Sequence, residues 1–141
     1  MNIYFACAIT GGREFEPVYQ AIIAALLADG HTIPTAHLAD SDVLALEAIA
    51  SPFAVYDRDI SWINKCDVLV AEVSTPSHGV GYEIAYALSI GKPVQCIYQA
   101  GRPISKMLSG NSHPCIQVNS YQNTDNALGI LRSFLSKRVQ L

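Results

Sequence analysis

The segment Ser77-His78-Gly79-Val80-Gly81-Tyr82-Glu83 sets a serine and two glycines just ahead of an acidic side chain. Glycine lets a ligand come close to the backbone. A helix start there offers unpaired N–H donors and the positive end of the helix dipole to an anion. The plainer reading makes Ser77 an N-cap and the glycines a turn. Glu83 lies four residues after Gly79, so on a helix the two face the same way. It stands among apolar Ile84, Ala85, Ala87 and Leu88, where folding does not require an acid. Its own plain reading is an exposed helix residue favoured by the dipole.

A second carboxylate is needed before Glu83 has chemistry to do. Asp57 and Asp59 lie on the next helical segment upstream. Two carboxylates on different elements, one nucleophilic and one proton-transferring, are what retaining glycoside chemistry uses, at roughly 5 Å separation. Asp57 reads better as a solvated residue partnered by Arg58 or Lys65. Tyr4 would bring its hydroxyl near Glu83 if the first and third predicted strands are neighbours, or else is a core aromatic with a satisfied hydroxyl. His37 follows the second predicted strand and is a further substrate-side candidate, although a lone histidine there is more often a packing residue. His78 reads as loop filler. Arg13 and Arg102 are candidate anion partners, and most arginines are surface charges.

The elements that must position these groups follow from hydropathy. Asn2 to Cys7 is a near-continuous apolar run, the mark of a strand buried on both faces. Thr10 to Arg13 turns the chain, and Glu14 to Asp29 has apolar residues at helical spacing, with Gly30 as a stop. His31 to Ala36 is expected to be a short second strand. Ala39 to Ala50 is expected to be an exposed lid or a short helix over a pocket. Phe53 to Lys65 reads as a helix, and Val68 to Val73 as the clearest buried strand. Ser74 to Gly81 is expected to be a loop, and Tyr82 to Ile90 a helix ended by Gly91-Lys92-Pro93. Val94 to Tyr98 and Cys115 to Val118 are strands, with a short helical piece at Ile104 to Leu108 between them. Thr124 to Lys137 closes the chain as a helix. The alternation predicts a parallel sheet covered on both faces, with ligands bound beyond the carboxyl ends of its strands.

Composition bounds the rest. The 141 residues fit a single domain, residues 1–141, and half are hydrophobic while 15% are charged. A net charge of -3 gives no basic field for nucleic acid. The apolar stretch Pro17 to Ala28 is short of the about 20 residues that span a bilayer. No signal peptide is expected. The four cysteines Cys7, Cys66, Cys96 and Cys115 form no C-x-x-C pair and read as reduced and structural, which fits a cytoplasmic protein. No metal-ligand spacing occurs, and no metal or cofactor is expected.

The ordered set Tyr4-Phe5, Gly11-Gly12-Arg13, Asp59-Ile60-Ser61-Trp62, Asp67 to Val73 and Ser77 to Glu83 resembles the nucleoside 2-deoxyribosyltransferase family. Within it the chain is most similar to the 2'-deoxynucleoside 5'-phosphate N-hydrolases. The resemblance implies a flavodoxin-like or Rossmann-like three-layer sandwich with a five-stranded parallel sheet. It implies a homodimer with shared sites. It makes Glu83 the nucleophile on the anomeric carbon, Asp59 the group that assists the leaving base, and Tyr4 the residue that orients Glu83. The substrate-binding set it implies is Ser77, Gly79, Gly81, the loop residues Ile9, Thr10, Gly11 and Arg13, and His37. Ser105, given to the neighbouring site, and Met107, near the base, complete it. Two functions remain beside hydrolysis of a deoxynucleoside monophosphate: transfer of deoxyribose between bases, and nucleotide binding without catalysis. The chain departs from the hydrolases after its first strand, reading Cys7-Ala8-Ile9-Thr10 where they usually read Gly-Ser-Ile-Arg. A serine hydroxyl and an arginine that assist phosphate are thereby lost.

Overall fold

The computed structural model describes residues 1–139. Strand β1 (Ile3–Ala6) leads through helix α1 (Glu16–Ala28) to a 3-10 turn (Ala36–Ala39), then to α2 (Val43–Ile49) and α3 (Pro52–Lys65). Strand β2 (Val68–Glu72), α4 (His78–Ser89), β3 (Val94–Gln99), α5 (Lys106–Ser109), β4 (Ile116–Tyr121) and α6 (Thr124–Val139) follow. The four strands are parallel and ordered β1-β2-β3-β4.

β1, β2 and the first four residues of β3 bury both faces, so alternate residues feed two cores. Ile3, Phe5, Val68 and Val70 pack with Tyr19, Ile22 and Leu26 of α1 and with Leu131 and Phe134 of α6. Tyr4, Ala6, Leu69 and Ala71 pack on the opposite face with Ile63 of α3 and with Ile84, Ala87 and Leu88 of α4. Pairing puts Tyr4 opposite Leu69, on the same sheet face as the helix that follows β2. The three-layer α/β architecture is therefore present as expected.

The expected fifth strand is not. Of His31 to Ala36, only Thr32 pairs, in a parallel bridge with Asn2. Two backbone bonds hold it, Ile3 N–H to the Thr32 carbonyl at 2.8 Å and Thr32 N–H to the Met1 carbonyl at 2.9 Å. Pro34 has no N–H to continue a ladder. The chain then turns at Thr35 (φ -89°, ψ 11°), whose Oγ1 accepts the Phe5 N–H at 2.9 Å. A buried hydroxyl thus stands in for the strand carbonyl that β1 would otherwise meet.

A second correction concerns α4, which begins at His78 rather than Tyr82. Ser77 is extended and its side chain accepts the Val80 N–H at 3.3 Å. That N-cap lets Gly79 and Gly81 join the first turn despite their low helix propensity. β4 also runs on to Tyr121, past the expected end at Val118.

After β1 the chain moves outward to the Thr32 bridge, and after β2 it moves the other way to β3. The carboxyl ends of β1 and β2 therefore flank a topological switch point, where open α/β sheets form ligand crevices.

Thr35→Val keeps the side-chain shape but leaves the buried Phe5 N–H without an acceptor. Denaturant titration should show a loss of about 1–3 kcal/mol, most of it recovered in Thr35→Ser.

Candidate active site

Two loops meet at the switch point. A Cβ on Gly11 would stand 2.5 Å from the Pro76 carbonyl oxygen, so only glycine allows this approach. Gly12, at φ 129°, completes the turn. The Pro76 loop is anchored from below. The Glu72 carboxyl is fully buried and accepts from the Ser74 N–H at 3.3 Å and the Tyr121 hydroxyl at 3.0 Å. It also hydrogen-bonds the Ser74 hydroxyl, which in turn accepts the Gln99 N–H at 2.8 Å. Burial raises the Glu72 pKa above the usual carboxylate range, opposed by these hydrogen bonds.

Above the switch point lies a cleft with a narrow inner part and a wide outer part. The inner cavity, about 230 Å³, is lined by Ile9, Thr10, Leu38, Asp59, Ser77 and Glu83, with Cys7, Gly79 and Val55 among its other walls. The outer cavity, about 550 Å³, shares Glu47, Val55, Asp59, Gly79 and Glu83 and has Tyr56 and Tyr82 on its wall. Those two exposed rings meet edge to face at 6.2 Å, with hydroxyls 3.4 Å apart.

Glu83 is the centre of the cleft. The Tyr4 hydroxyl donates to Glu83 Oε1 at 2.8 Å, across 79 residues of sequence. Burial pushes the Glu83 carboxyl up to about 7, the Tyr4 bond pulls it down, and the Asp59 charge raises it further. Tyr4 itself is fully buried and lies well above the usual tyrosine range, first by burial and then by Glu83, so it stays protonated and donates. Asp59, 15% exposed at its side chain, is also raised by burial, against the pull of Arg58. The site thus holds two carboxylates whose protonated forms burial favours, and a fixed hydroxyl that leaves one Glu83 oxygen free. Such a pair can form and break a glycosyl ester while moving one proton.

The remaining candidates fall into three groups. Ile9, Thr10, Ser77 and Gly79 line the inner cavity with Glu83. Gly11 shapes the loop, and Arg13 is committed to holding it. Its guanidinium donates to the Ala8 carbonyl at 3.1 Å, the Asp40 carbonyl at 3.0 Å and Glu16 at 3.1 Å, and it stacks on Tyr19. His37 meets Glu47 at 3.2 Å. Gly81, Ser105 and Met107 face a separate apolar cavity of about 500 Å³ on the other side of α4, which Ser77 also borders. Within one chain, Ser105 and Met107 do not reach the cleft of Glu83. Ser105 caps α5 by accepting the Met107 N–H at 3.2 Å, and Met107 is 82% exposed.

Sequence reasoning missed Glu47 and Arg58. Glu47 lines both parts of the cleft, on the segment expected to cover a pocket. Its signal was weak, a single acid between alanines and leucines. Among the described residues no group of three metal-binding side chains is gathered, and no helix is long and apolar enough to cross a membrane.

Comparison with known proteins agrees with this geometry. The family model for nucleoside 2-deoxyribosyltransferase matches residues 3–128. The chain is 39% identical over 140 residues to the 5-hydroxymethyl-dUMP N-hydrolase of Rattus norvegicus, covering 96% of this chain and 83% of that protein. It is 38% identical over 118 residues to a Methanococcoides burtonii protein provisionally named 2'-deoxynucleoside 5'-phosphate N-hydrolase 1, covering 84% and 97%. Among solved structures, the CMP N-glycosidase BcmB of Clostridium botulinum superposes with a TM-score of 0.70 at 18% identity, over 94% of this chain and 99% of that one. That likeness is one of fold. With a family match over nearly its whole length and Tyr4, Asp59 and Glu83 gathered in one cleft, the chain belongs to the nucleoside 2-deoxyribosyltransferase family.

Proposed function

We propose that this protein hydrolyses the N-glycosidic bond of 2'-deoxynucleoside 5'-monophosphates, releasing a free nucleobase and 2-deoxyribose 5-phosphate. The observation that carries this reading is the Tyr4–Glu83 hydrogen bond of 2.8 Å, with Asp59 in the same cleft. Tyr4 occupies Oε1, so Oε2 of Glu83 attacks the anomeric carbon while the base departs with a proton from Asp59. A glycosyl ester on Glu83 results. Water, deprotonated by Asp59, then displaces Glu83 at the same carbon, and the sugar configuration is retained overall.

The sugar phosphate points toward the start of α4. There Ser77, the N–H groups around Gly79 and the Ile9-Thr10-Gly11 loop offer neutral donors, and the helix dipole supplies the positive end. With its donors spent on Ala8, Asp40 and Glu16, Arg13 acts here by holding that loop in shape. His37 steadies the base side through Glu47. The protein works as a homodimer, in which Ser105 of the partner subunit reaches the phosphate and Met107 lies near the base. That Ser105 and Met107 line a different cavity from their own chain's Glu83, and that Met107 is exposed, support this exchange. Gly81, on the same cavity as Ser105, lets the two chains approach. The chain forms one domain over residues 1–141 and acts in the cytoplasm, in keeping with its free cysteines, three of them buried.

A second reading, transfer of deoxyribose between bases, is favoured by Ala8 and Thr10. They offer the phosphate no arginine and only one hydroxyl. Incubation of the enzyme with a deoxynucleoside and a second base separates the two: a new nucleoside marks transfer, and free sugar phosphate from the monophosphate marks hydrolysis.

Base release should be found in a chromatographic screen of deoxynucleoside monophosphates and nucleosides, and Glu83→Ala should lower it at least about 10³-fold with the fold intact. Near-full turnover in that variant would remove Glu83 from the mechanism. Ser77→Ala should raise KM for a monophosphate more than for its nucleoside; equal effects would move the phosphate elsewhere. The raised carboxyl of Glu83 fixes two pH effects. Attack needs the ionised form, so kcat/KM should fall about tenfold per unit below pH 7. Ionising this buried group also costs stability, because its folded pKa of about 7 exceeds the unfolded value of 4.5. Glu83→Gln, which still accepts from Tyr4, should therefore melt higher than wild type at pH 8, by up to about 3 kcal/mol. That gain accrues between pH 4.5 and 7 and should vanish in melts at pH 4.

A further inference from the structure

We infer that Arg58 is a positioning residue for Asp59, held in place by Glu47 so that one carboxyl oxygen of Asp59 is pinned and the other faces the leaving base. The inference rests on the N-glycosidase reading given above.

Neighbouring residues on a helix point in different directions, so an Arg58–Asp59 contact is not a by-product of helix geometry. Arg58 Nε nevertheless donates to Asp59 Oδ1 at 2.8 Å. The far side of the guanidinium is fixed as well. Nη1 and Nη2 donate to the two oxygens of Glu47, at 3.0 and 3.3 Å. Its face lies over the Trp62 ring at 4.9 Å. His37 closes the frame, with Nε2 3.2 Å from Glu47 Oε1 and its ring edge-on to Trp62 at 5.9 Å. Arg58 alone touches that oxygen of Asp59, and three further side chains from the 3-10 turn, α2 and α3, His37, Glu47 and Trp62, hold Arg58 in place.

Arg58 and Glu47 are 26% and 16% exposed, sheltered enough for the contact to persist. A planar guanidinium engaged on two edges and one face has little freedom left. With Oδ1 occupied, rotation of the Asp59 carboxyl is blocked, and Oδ2 is the oxygen that must carry the proton. Proton transfer in a transition state demands this kind of alignment, and general acids supply about 10²–10⁴-fold when aligned. The cation has a second effect. Burial raises Asp59, Glu47 raises it, and Arg58 and His37 lower it, while Glu83 and Tyr4 face it from α4 and β1. Arg58 thus opposes the effect of burial on Asp59 and favours its ionised form.

The test compares wild type with Arg58→Gln and Arg58→Lys on two substrates. One is the natural monophosphate that wild type cleaves fastest. The other is 4-nitrophenyl 2-deoxyribofuranoside 5-phosphate, whose leaving group departs as a stable anion. On the first, Arg58→Gln should lose roughly 10- to 100-fold in the rate of glycosyl transfer to the enzyme, with KM changed less than threefold. On the second, that step should change less than threefold. Arg58→Lys, which keeps the charge without the fork, should fall between. The alkaline limb of kcat/KM on the natural substrate should move to higher pH in Arg58→Gln, because a cation beside the acid is gone. Equal losses on both substrates, a change in KM alone, or an unmoved alkaline limb would each overturn the inference and reduce Arg58 to a strut between α2 and α3. Wild-type turnover that Arg58→Gln leaves intact overturns the inference and spares the proposed function. Failure of wild type to release any base overturns both.

Discussion

The hydrogen bond from Tyr4 to Glu83 ties the molecule's first strand to the helix that follows its second. It forms only because β1 and β2 are parallel neighbours and because Tyr4 takes the sheet face that α4 covers. A shift of β1 by one residue would send Tyr4 into the opposite core and bring Phe5 toward Glu83. The register is fixed by the Thr32 bridge on one side and by four paired residues of β2 on the other. The donor itself is buried, so its hydroxyl has no solvent to turn to. Glu83 accordingly keeps one committed and one free oxygen.

The cost of this arrangement is electrostatic. Glu83 and Asp59 are two acids in a sheltered cleft, and both are raised by burial. A fold that placed them there for stability alone would have chosen neutral groups. The surrounding cations do not neutralise Glu83 directly. Arg58 is bonded to Asp59 and Glu47, and Arg13 to Glu16 and to the carbonyls of Ala8 and Asp40. The end of the cleft at the start of α4, where we propose the phosphate binds, is correspondingly built from backbone N–H groups and hydroxyls. There an anion would be held by many weak donors rather than by one strong ion pair.

Glu72 plays a quieter part. It is fully buried on the sheet and gathers Ser74 and Tyr121 while Ser74 reaches Gln99. The carboxyl ends of β2, β3 and β4 are thereby locked to one another. The loop that carries Ser77 leaves from that lock, and Gly11 presses against its Pro76 carbonyl. Rigidity of the loop that carries Ser77 thus comes from a polar cluster beneath it, with Gly11 supplying the close fit.

Much of this was written in the residue order. Continuous apolar runs marked parallel strands, because strands covered on both faces need no polar side. The Gly79-to-Glu83 spacing put the acid on the cleft side of its helix, and the Asp59 and Tyr4 pairing pointed to a two-carboxylate chemistry. Local rules failed where long-range contacts decide. The stretch His31 to Ala36 looks like a strand, but Pro34 cannot donate and the Thr35 hydroxyl satisfies Phe5 instead, so four strands form. Ser77 alone announces a cap, yet whether it ends a loop at Gly81 or starts a helix at His78 depends on how α4 packs. Arg13 looked available until Ala8 and Asp40 were brought to it, and Glu47 was not singled out within the expected lid, because its role depends on Arg58 of α3 meeting it. The sequence determined the strand–helix alternation and the types of reacting groups, since both follow from spacing along the chain. The tertiary structure alone decided which charges are already spent and which oxygen of Glu83 is free, because those depend on partners 79 residues away.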